Sequence, residues 1–196
     1  MKTKSAAQAR IENFGGNIQF SPRQIYAPRT EADVLEILNY HSGEKIRPVA
    51  GLHSWSDIIL ADNVLVAMHN FNQLSIEEDR AGSVIATVGA GLTLKELLPA
   101  LQAEAGVTLP TLPGTLMQTL AGCISTATHG SGTPSLSHYV VGVRMAAYDP
   151  NTGEAAIYEW NNGPELRAAR CALGYMGIIL SVTIRCVPDY SVVINF

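Results

Sequence analysis

Two stretches of the chain combine small residues, hydrogen-bond donors and a histidine. Residues 46–56 (IRPVAGLHSWS) are typical of a short buried strand that ends in a turn at Gly51 and presents His53 just beyond it. A glycine turn after a strand leaves backbone N–H groups free to converge on an anion, because no Cβ prevents close approach. Residues 120–132 (LAGCISTATHGSG) are rich in Gly, Ser and Thr and contain His129. Together the two stretches suggest a long phosphate-bearing cofactor lying between them.

Taken alone, His53 leaves several kinds of chemistry open. A histidine after a strand could be a nucleophile toward an electrophilic carbon, a proton shuttle, a metal ligand or a structural residue. No second histidine or carboxylate stands at metal-ligand spacing from it, and His129 and His138 match no ligand motif, so we predict no metal site. The sequence also lacks a Gly-x-Gly-x-x-Gly motif and a P-loop. A hydrolase that uses Ser131 remains an alternative, although Gly130-Ser131-Gly132 lacks the Gly-x-Ser-x-Gly pattern of a nucleophile elbow.

Composition narrows the class of protein. The 196 residues are 47% hydrophobic and 15% charged, which predicts a well-buried interior in one domain or two small subdomains. The net charge of -4 and the absence of a basic stripe argue against nucleic acid as a partner. The sequence shows no secretory signal and no run of about 18 apolar residues, so we expect a cytoplasmic protein without a membrane span. The three cysteines are expected to be free, buried thiols.

The elements that must position the two stretches alternate between helix and strand. Thr30 is a predicted cap of a helix that ends at Gly43, and the strand at residues 46–50 follows. Strands are predicted at residues 64–68 and 83–88, with a polar loop or hairpin between them. Thr93-Leu94-Lys95-Glu96 is a capping box that opens a helix ending at Gly106, which Pro99 should kink or break.

The second half of the chain is rich in predicted strands. Residues 120–125 are expected to form one or two helical turns, and residues 139–148 and 154–159 two strands joined by a turn. Pro164 is expected at the start of a helix that runs to about Leu173, and residues 177–187 should close the sheet. Residues 13–29 are predicted to be an irregular extended arm. The fold class is therefore α+β, with a small mixed subdomain at about residues 20–75 and a larger, mainly antiparallel one at about residues 80–190.

Three segments resemble one known family in order and spacing. Residues 47–55 (RPVAGLHSW) resemble the first flavin loop of the vanillyl-alcohol-oxidase superfamily, whose FAD domain is called the PCMH type. Residues 121–132 (AGCISTATHGSG) resemble the second loop of its L-gulono-1,4-lactone, D-arabinono-1,4-lactone and alditol oxidases. Residues 173–184 (LGYMGIILSVTI) resemble the Leu-Gly-x-x-Gly stretch that precedes a strand in the same enzymes. The resemblance covers nearly the whole chain and implies a PCMH-type fold with two α/β subdomains.

The resemblance also implies a set of cofactor-binding residues. The backbone of residues 49–54 would hold the FAD pyrophosphate, and His53 occupies the position that many members bond to the 8α carbon of FAD. Other residues match family positions that line the flavin and its ribityl-phosphate arm, or positions of the second loop. The implied FAD-binding set is Val49, Ala50, Gly51, Leu52, His53, Ser54, Gly114, Thr119, Gly122, Cys123, Ile124, Ser125, His129 and Ile178.

The implied reaction is hydride transfer from an alcohol carbon of a sugar lactone or polyol to FAD, with O₂ as acceptor. Pro113 departs from the small residue that relatives have near the flavin edge, so a dehydrogenase with another electron acceptor stays open. The family's acid/base residues lie mainly in a following substrate domain that this chain lacks, so no catalytic residue is assigned and this fragment alone is expected to be inactive. A bulky-alcohol oxidase of the steroid type, or a non-catalytic flavin-binding module, remains an alternative.

Overall fold

Two main β-sheets frame the computed structural model, which describes residues 4–5 and 9–191. The helices are α1 (Glu31–Tyr40), α2 (Leu94–Ala105), α3 (Leu120–Ser125) and α4 (Gly163–Ala169). The strands are β1 (Lys4–Ser5), β2 (Ile11–Glu12), β3 (Gln19–Phe20), β4 (Gln24–Tyr26), β5 (Ile46–Val49), β6 (Val64–Ala67), β7 (Leu74–Glu78), β8 (Val84–Gly89), β9 (Val107–Thr108), β10 (Val140–Tyr148), β11 (Ala155–Trp160), β12 (Ile178–Arg185) and β13 (Val187–Pro188).

The first sheet has the strand order β1-β4-β6-β5 and is parallel except at β1. Helix α1 connects β4 to β5, and Thr30 caps it in a capping box with Asp33, as the sequence indicates. The predicted strands at residues 46–50 and 64–68 are confirmed as β5 and β6. Strand β4 was not predicted, because a three-residue strand between Pro22 and Pro28 is too short to show an alternating pattern.

The second sheet has the order β11-β10-β12-β8-β7 and is antiparallel throughout. The predicted turn between β10 and β11 is confirmed, since Asp149 Oδ1 accepts hydrogen bonds from the N–H groups of Asn151 at 2.8 Å and Thr152 at 3.0 Å. Residues 70–82, predicted as a loop or hairpin, contain β7, which forms a hairpin with β8. The α+β class with a mixed sheet followed by an antiparallel one is therefore confirmed.

The helices of the second half follow the predicted caps with two differences. Helix α2 starts at the predicted capping box and ends at Gly106, which has a left-handed φ of 62°. The helix continues through Pro99, so the prediction that Pro99 could break it is wrong. Helix α4 has Pro164 in its first turn but ends at Ala169, short of the predicted Leu173. Leu173 and Gly174 both have positive φ, at 53° and 76°, and that conformation cannot continue a right-handed helix.

One large core joins the two sheets, and α1 lies between them. Residues of both sheets and of helices α1, α2 and α3 belong to a single buried cluster. The Tyr148 hydroxyl donates to Leu38 O at 2.6 Å, and Ala155 N donates to Asn39 Oδ1 at 2.7 Å, so the end of α1 is fixed to strands of the second sheet. The strands of the first sheet precede residue 68 and those of the second follow residue 73. Subdomain limits of 20–75 and 80–190 stay a prediction.

Two smaller features complete the fold. Cys123, Cys171 and Cys186 are free thiols, but only Cys123 and Cys186 are buried, and Cys171 is exposed. The expectation that all three are buried is wrong because α4 ends before Cys171 and leaves it at the surface. Within residues 4–5 and 9–191, no helix combines the length and apolar character that crossing a bilayer requires.

Candidate functional site

A cleft of about 180 Å³ opens where the loop after β5, the start of α3 and the loop after α4 meet. It therefore lies along the junction of the two sheets, and the two stretches singled out in the sequence form opposite parts of its wall. The residues that line it are Arg47, Pro48, Val49, Ala50, Gly51, Leu52, His53, Ser54, Ile58, Ile59, Met68, Ala90, Gln118, Thr119, Ala121, Gly122, Ser125, Thr126, Leu173, Gly174, Gly177 and Ile179.

The loop after β5 presents backbone donors to the cleft. For the N–H groups of residues 50–54, the described part of the chain offers no hydrogen-bond acceptor. Leu52 has a left-handed φ of 52° in this turn, whereas Gly51 does not. Gly51 allows a close approach of backbone, since a Cβ there would lie 2.9 Å from Met117 O. The glycine therefore brings the backbones of the two cleft walls together.

A hairpin near the start of the described chain supports this loop from outside. Phe14 N donates to Leu52 O at 2.9 Å, and the Asn13 side chain donates to Ser54 O at 2.9 Å. The Asn17 side chain donates to Trp55 O at 3.0 Å. These bonds occupy the carbonyl groups of Leu52, Ser54 and Trp55, whereas the N–H groups of residues 50–54 stay available.

The His53 imidazole stacks on the ring of Phe14, with centroids 4.5 Å apart and an angle of 23° between the planes. Burial lowers the pKa of His53, which favours the neutral imidazole near pH 7. Neither ring nitrogen forms a hydrogen bond with any residue that the structure describes. The ring is thus held in place by stacking, and its nitrogen lone pair remains available.

Helix α3 supplies the opposite wall. The Thr119 side chain caps it by accepting from Gly122 N at 3.3 Å, while the N–H group of Ala121 finds no acceptor among the described residues. Gly122 is exposed, and a Cβ there would meet only Thr119 Oγ1, at 3.3 Å. The N-terminal turn therefore presents a free backbone donor and a side-chain-free surface to the cleft.

The third wall was missed in the site prediction. Arg47 on β5 donates from Nη1 to Leu173 O at 3.3 Å, and Gly174 lies so close that a Cβ would be 2.6 Å from the same nitrogen. The Leu-Gly-x-x-Gly match in the sequence did indicate this segment. Only Ile178 was taken from this segment as a site residue, whereas the residues of the segment that line the cleft are Leu173, Gly174, Gly177 and Ile179.

The predicted residues divide into two groups. The cleft brings together Val49, Ala50, Gly51, Leu52, His53, Ser54, Thr119, Gly122 and Ser125. The other predicted residues, Gly114, Cys123, Ile124, His129 and Ile178, are not among its lining residues. Cys123, Ile124 and Ile178 are buried in the core behind it. Gly114 and His129 are exposed, and His129 Nδ1 lies 2.9 Å from Gly130 O. Contact of either group with a cofactor stays a prediction.

The chemistry of the cleft fits a phosphate-bearing cofactor. Its polar groups are backbone N–H donors, hydroxyls, the His53 imidazole, the Gln118 amide and the Arg47 guanidinium, and no carboxylate is among its lining residues. Such a set of donors attracts anions. The volume of about 180 Å³ is below the roughly 300 Å³ at which pockets begin to enclose drug-sized ligands. The cleft can therefore enclose part of a dinucleotide and leave the rest at its mouth.

Fold and cleft together are typical of a domain that binds a phosphate-bearing cofactor, and comparison with known proteins shows the family. The sequence profile described as "FAD binding domain" matches residues 22–152, and the chain belongs to this family. The resemblance to the PCMH-type domain of the vanillyl-alcohol-oxidase superfamily is thereby confirmed.

Two relatives illustrate the match in sequence. A long-chain alcohol oxidase from an uncultured marine euryarchaeote is 48% identical over 191 residues, covering 97% of this chain and 40% of that protein. The D-arabinono-1,4-lactone oxidase of Eremothecium gossypii is 34% identical over 199 residues, covering 95% of this chain and 36% of that protein. The chain spans about two fifths of the length of these relatives.

Solved structures show the same fold. A cholesterol oxidase from B. sterolicum superposes with a TM-score of 0.82 at 21% identity, covering 91% of this chain and 37% of that one. The BBE-like 1 protein of Physcomitrella patens superposes with a TM-score of 0.76 at 24% identity, covering 95% of this chain and 42% of that one.

Proposed function

We propose that this chain is the FAD-binding part of an oxidoreductase that oxidises a CH–OH group, with O₂ as the electron acceptor. The observation that carries the proposal is the convergence of free backbone donors from residues 50–54 and from the start of α3 on one cleft. When bound, FAD supplies a ring that accepts hydride, whereas the protein supplies position and electrostatics.

The residues of the chain would divide the work of holding the cofactor. The N–H groups of the β5 loop and of the α3 N-terminus would donate to the diphosphate, where the helix dipole would add positive potential. Gly122 lets the ligand approach the backbone of α3. The apolar side chains of Ile58, Ile59 and Met68 exclude water from the adjoining part of the cleft.

We further propose that His53 is the covalent anchor of FAD. Its neutral, stacked imidazole has a free lone pair that can bond the 8α carbon. Formation of that N–C bond releases one hydrogen from the imidazole and one from the methyl group. O₂ takes up these two hydrogens with their electrons, giving H₂O₂.

Two classes of alcohol are candidates for the substrate. The 48% identity to a long-chain alcohol oxidase favours a long-chain or otherwise bulky alcohol. The 34% identity to a D-arabinono-1,4-lactone oxidase supports the sugar lactone or polyol that the sequence suggested. In either case we propose that the substrate binds through a further domain that also provides the acid/base residues, so this chain alone is inactive toward alcohols. Ser131 is exposed and is not among the residues that line the cleft, so its location does not support a role as a nucleophile.

The test is to purify the chain after expression with riboflavin, record its spectrum, and measure the mass of the intact polypeptide. We expect flavin absorbance that stays with the denatured chain and a mass increase equal to FAD less the two hydrogens that bond formation releases. His53→Ala should retain flavin only without denaturant. A colourless chain that binds no added FAD would contradict the proposed function. Oxidation of dodecanol, gulonolactone and xylitol by any longer form of the protein distinguishes the substrates.

A further inference from the structure

Arg47 lies in the wall of the cleft without a counter-charge. It stands on β5, and its side chain is half-buried. Among residues 4–5 and 9–191, no carboxylate lies within 4.0 Å of its guanidinium. Its hydrogen bond from Nη1 to Leu173 O, at 3.3 Å, is a neutral contact, and its Nε is buried without any partner.

A half-buried cation in this state is costly. Burial lowers the pKa of Arg47, which reports the loss of hydration around the guanidinium, although the Tyr175 hydroxyl acts in the opposite direction. Some arginines of the chain do have carboxylate partners, as Arg144 has Glu31 and Arg23 has Glu44. A binding partner that brings negative charge would therefore relieve at Arg47 a cost that the fold itself leaves uncompensated.

The guanidinium is also held in a fixed place. Gly174 leaves room for Nη1, since a Cβ there would approach it to 2.6 Å. The Tyr175 ring centroid lies 6.0 Å from Cζ, at the limit of a cation–π contact. Such fixation reduces the entropy that binding would otherwise cost, and the planar fork of an arginine suits two oxygens of one phosphate.

We propose that Arg47 binds a phosphate oxygen of the cofactor's diphosphate and provides its counter-charge. The inference rests on the proposed function, because it assigns a residue to the same cleft. It extends that function by naming a side-chain charge where the sequence indicated backbone donors only. The competing explanation is that Arg47 merely ties β5 to the loop at Leu173, a contact between residues 126 positions apart.

The experiment compares ADP, which carries the diphosphate, with adenosine, which does not, as ligands of the 196-residue chain by isothermal titration calorimetry. Arg47→Gln removes the charge, and Arg47→Lys keeps the charge but loses the fork. Arg170→Met is the matched control, because Arg170 also has a buried Nε without a partner but does not line the cleft.

We expect Arg47→Gln to lower ADP affinity by about 10- to 100-fold, the range for hydrogen bonds to charged groups, and to leave adenosine affinity unchanged. Arg47→Lys should lose less ADP affinity than Arg47→Gln. In Arg47→Gln, ADP binding should also depend less strongly on salt concentration. Arg170→Met should bind both ligands like the wild type. A purely structural role would alter unfolding of the chain but not the preference for ADP over adenosine.

Equal ADP affinity in wild type and Arg47→Gln overturns the proposal while leaving FAD binding intact. A wild-type chain that binds neither ADP nor FAD overturns the proposed function as well. If Arg47→Gln does not fold, Arg47→Lys provides the test. The proposal requires that the ratio of ADP affinity to adenosine affinity be lower in Arg47→Lys than in the wild type. An unchanged preference in that variant contradicts the assignment.

Discussion

The ring of Phe14 lies almost parallel to the imidazole of His53, with centroids 4.5 Å apart. The two residues are far apart in sequence, and hydrogen bonds from Asn13 and Phe14 to the loop keep them together. Phe14 is itself 65% exposed, so its contact with His53 covers the imidazole while leaving its own outer face in solvent. The stack thus determines both where the histidine lies and how well it is hydrated.

Phe14→Ala should raise the pKa of His53 toward the ordinary value of about 6.5. Burial lowers the pKa in the folded chain, so the unfolded chain binds more protons as the pH falls through this range. The wild-type free energy of unfolding should therefore decrease as the pH falls below about 6.5, and the decrease should be smaller in Phe14→Ala. NMR titration of the imidazole protons and urea unfolding at several pH values measure both effects.

Trp55→Ala is the control for this variant, because Trp55 has the same exposed fraction of 65% but does not stack on His53. Its His53 pKa should stay at the wild-type value. A lower His53 pKa in Phe14→Ala would contradict the prediction, since it would mean that the stack favours the imidazolium.

Gly91→Ala should destabilise the junction of the two sheets. A Cβ at Gly91 would lie 2.1 Å from Met68 O and 2.7 Å from His69 Cα, and both are backbone atoms that cannot rotate away. We expect a loss of about 3 kcal/mol in the free energy of unfolding, measured with urea. Gly114→Ala, where a Cβ would meet nothing within 4 Å, should change it by less than about 0.5 kcal/mol. Equal effects of the two substitutions would argue against close backbone contact at Gly91.

Gly122→Ala should separate folding from cofactor binding. Alanine is the better helix former, and the nearest atom to its Cβ would be Thr119 Oγ1 at 3.3 Å, so the free energy of unfolding should stay within about 0.5 kcal/mol. The methyl group would project into the cleft, and we expect FAD affinity to fall at least tenfold, measured by quenching of flavin fluorescence. Ser131→Ala, outside the cleft, should bind FAD normally. Unchanged affinity in Gly122→Ala would remove α3 from the proposed site.

Arg144 and Glu31 should be coupled by only about 0.5–1 kcal/mol. Their two hydrogen bonds, at 2.7 and 2.8 Å, join α1 to β10, but the side chains are 37% and 38% exposed and therefore screened by solvent. The hydrogen bond from Arg144 lowers the pKa of Glu31, so the contribution is present above the ordinary glutamate pKa. It should disappear as the pH falls through the lowered value.

A double-mutant cycle of Glu31→Gln and Arg144→Met at pH 7 and in acid measures this coupling. The pair Arg185 and Asp79, whose charged atoms are 3.7 Å apart, serves for comparison and should show a smaller value. A Glu31–Arg144 coupling that persists after the carboxylates are protonated would contradict the ionic explanation.

Iodoacetamide at pH 8 should modify the native chain once, at Cys171. Cys171 is exposed, whereas burial raises the pKa of Cys123 to about 12 and that of Cys186 to about 11, so neither forms a thiolate. Intact mass and peptide mapping identify the adduct, and denatured chain should take up the label at all three positions. Labelling of Cys123 in the native chain would show that α3 opens.

Local signals in the sequence were sufficient for much of the architecture. The helix cap at Thr30, the capping box at Thr93 and the turn at Asp149 were predicted correctly, because each depends on hydrogen bonds between residues at most four positions apart. The resemblance in three segments indicated the family that the profile match confirms. Helix α4 was predicted too long by about four residues, and the predicted end at Leu173 has a left-handed conformation that leucine rarely adopts.

The helix caps, the order of the two sheets and the two donor-rich turns could be predicted from the sequence, because they depend on local propensity and periodicity. The residues that surround the two turns could be identified only from the folded structure. Phe14 covers His53, Met117 requires a glycine at position 51, and Arg47 reaches Leu173, across 126 positions of sequence. Contacts of this kind arise when separate segments pack into one core. A residue pattern within one segment does not predict how far that segment lies from another.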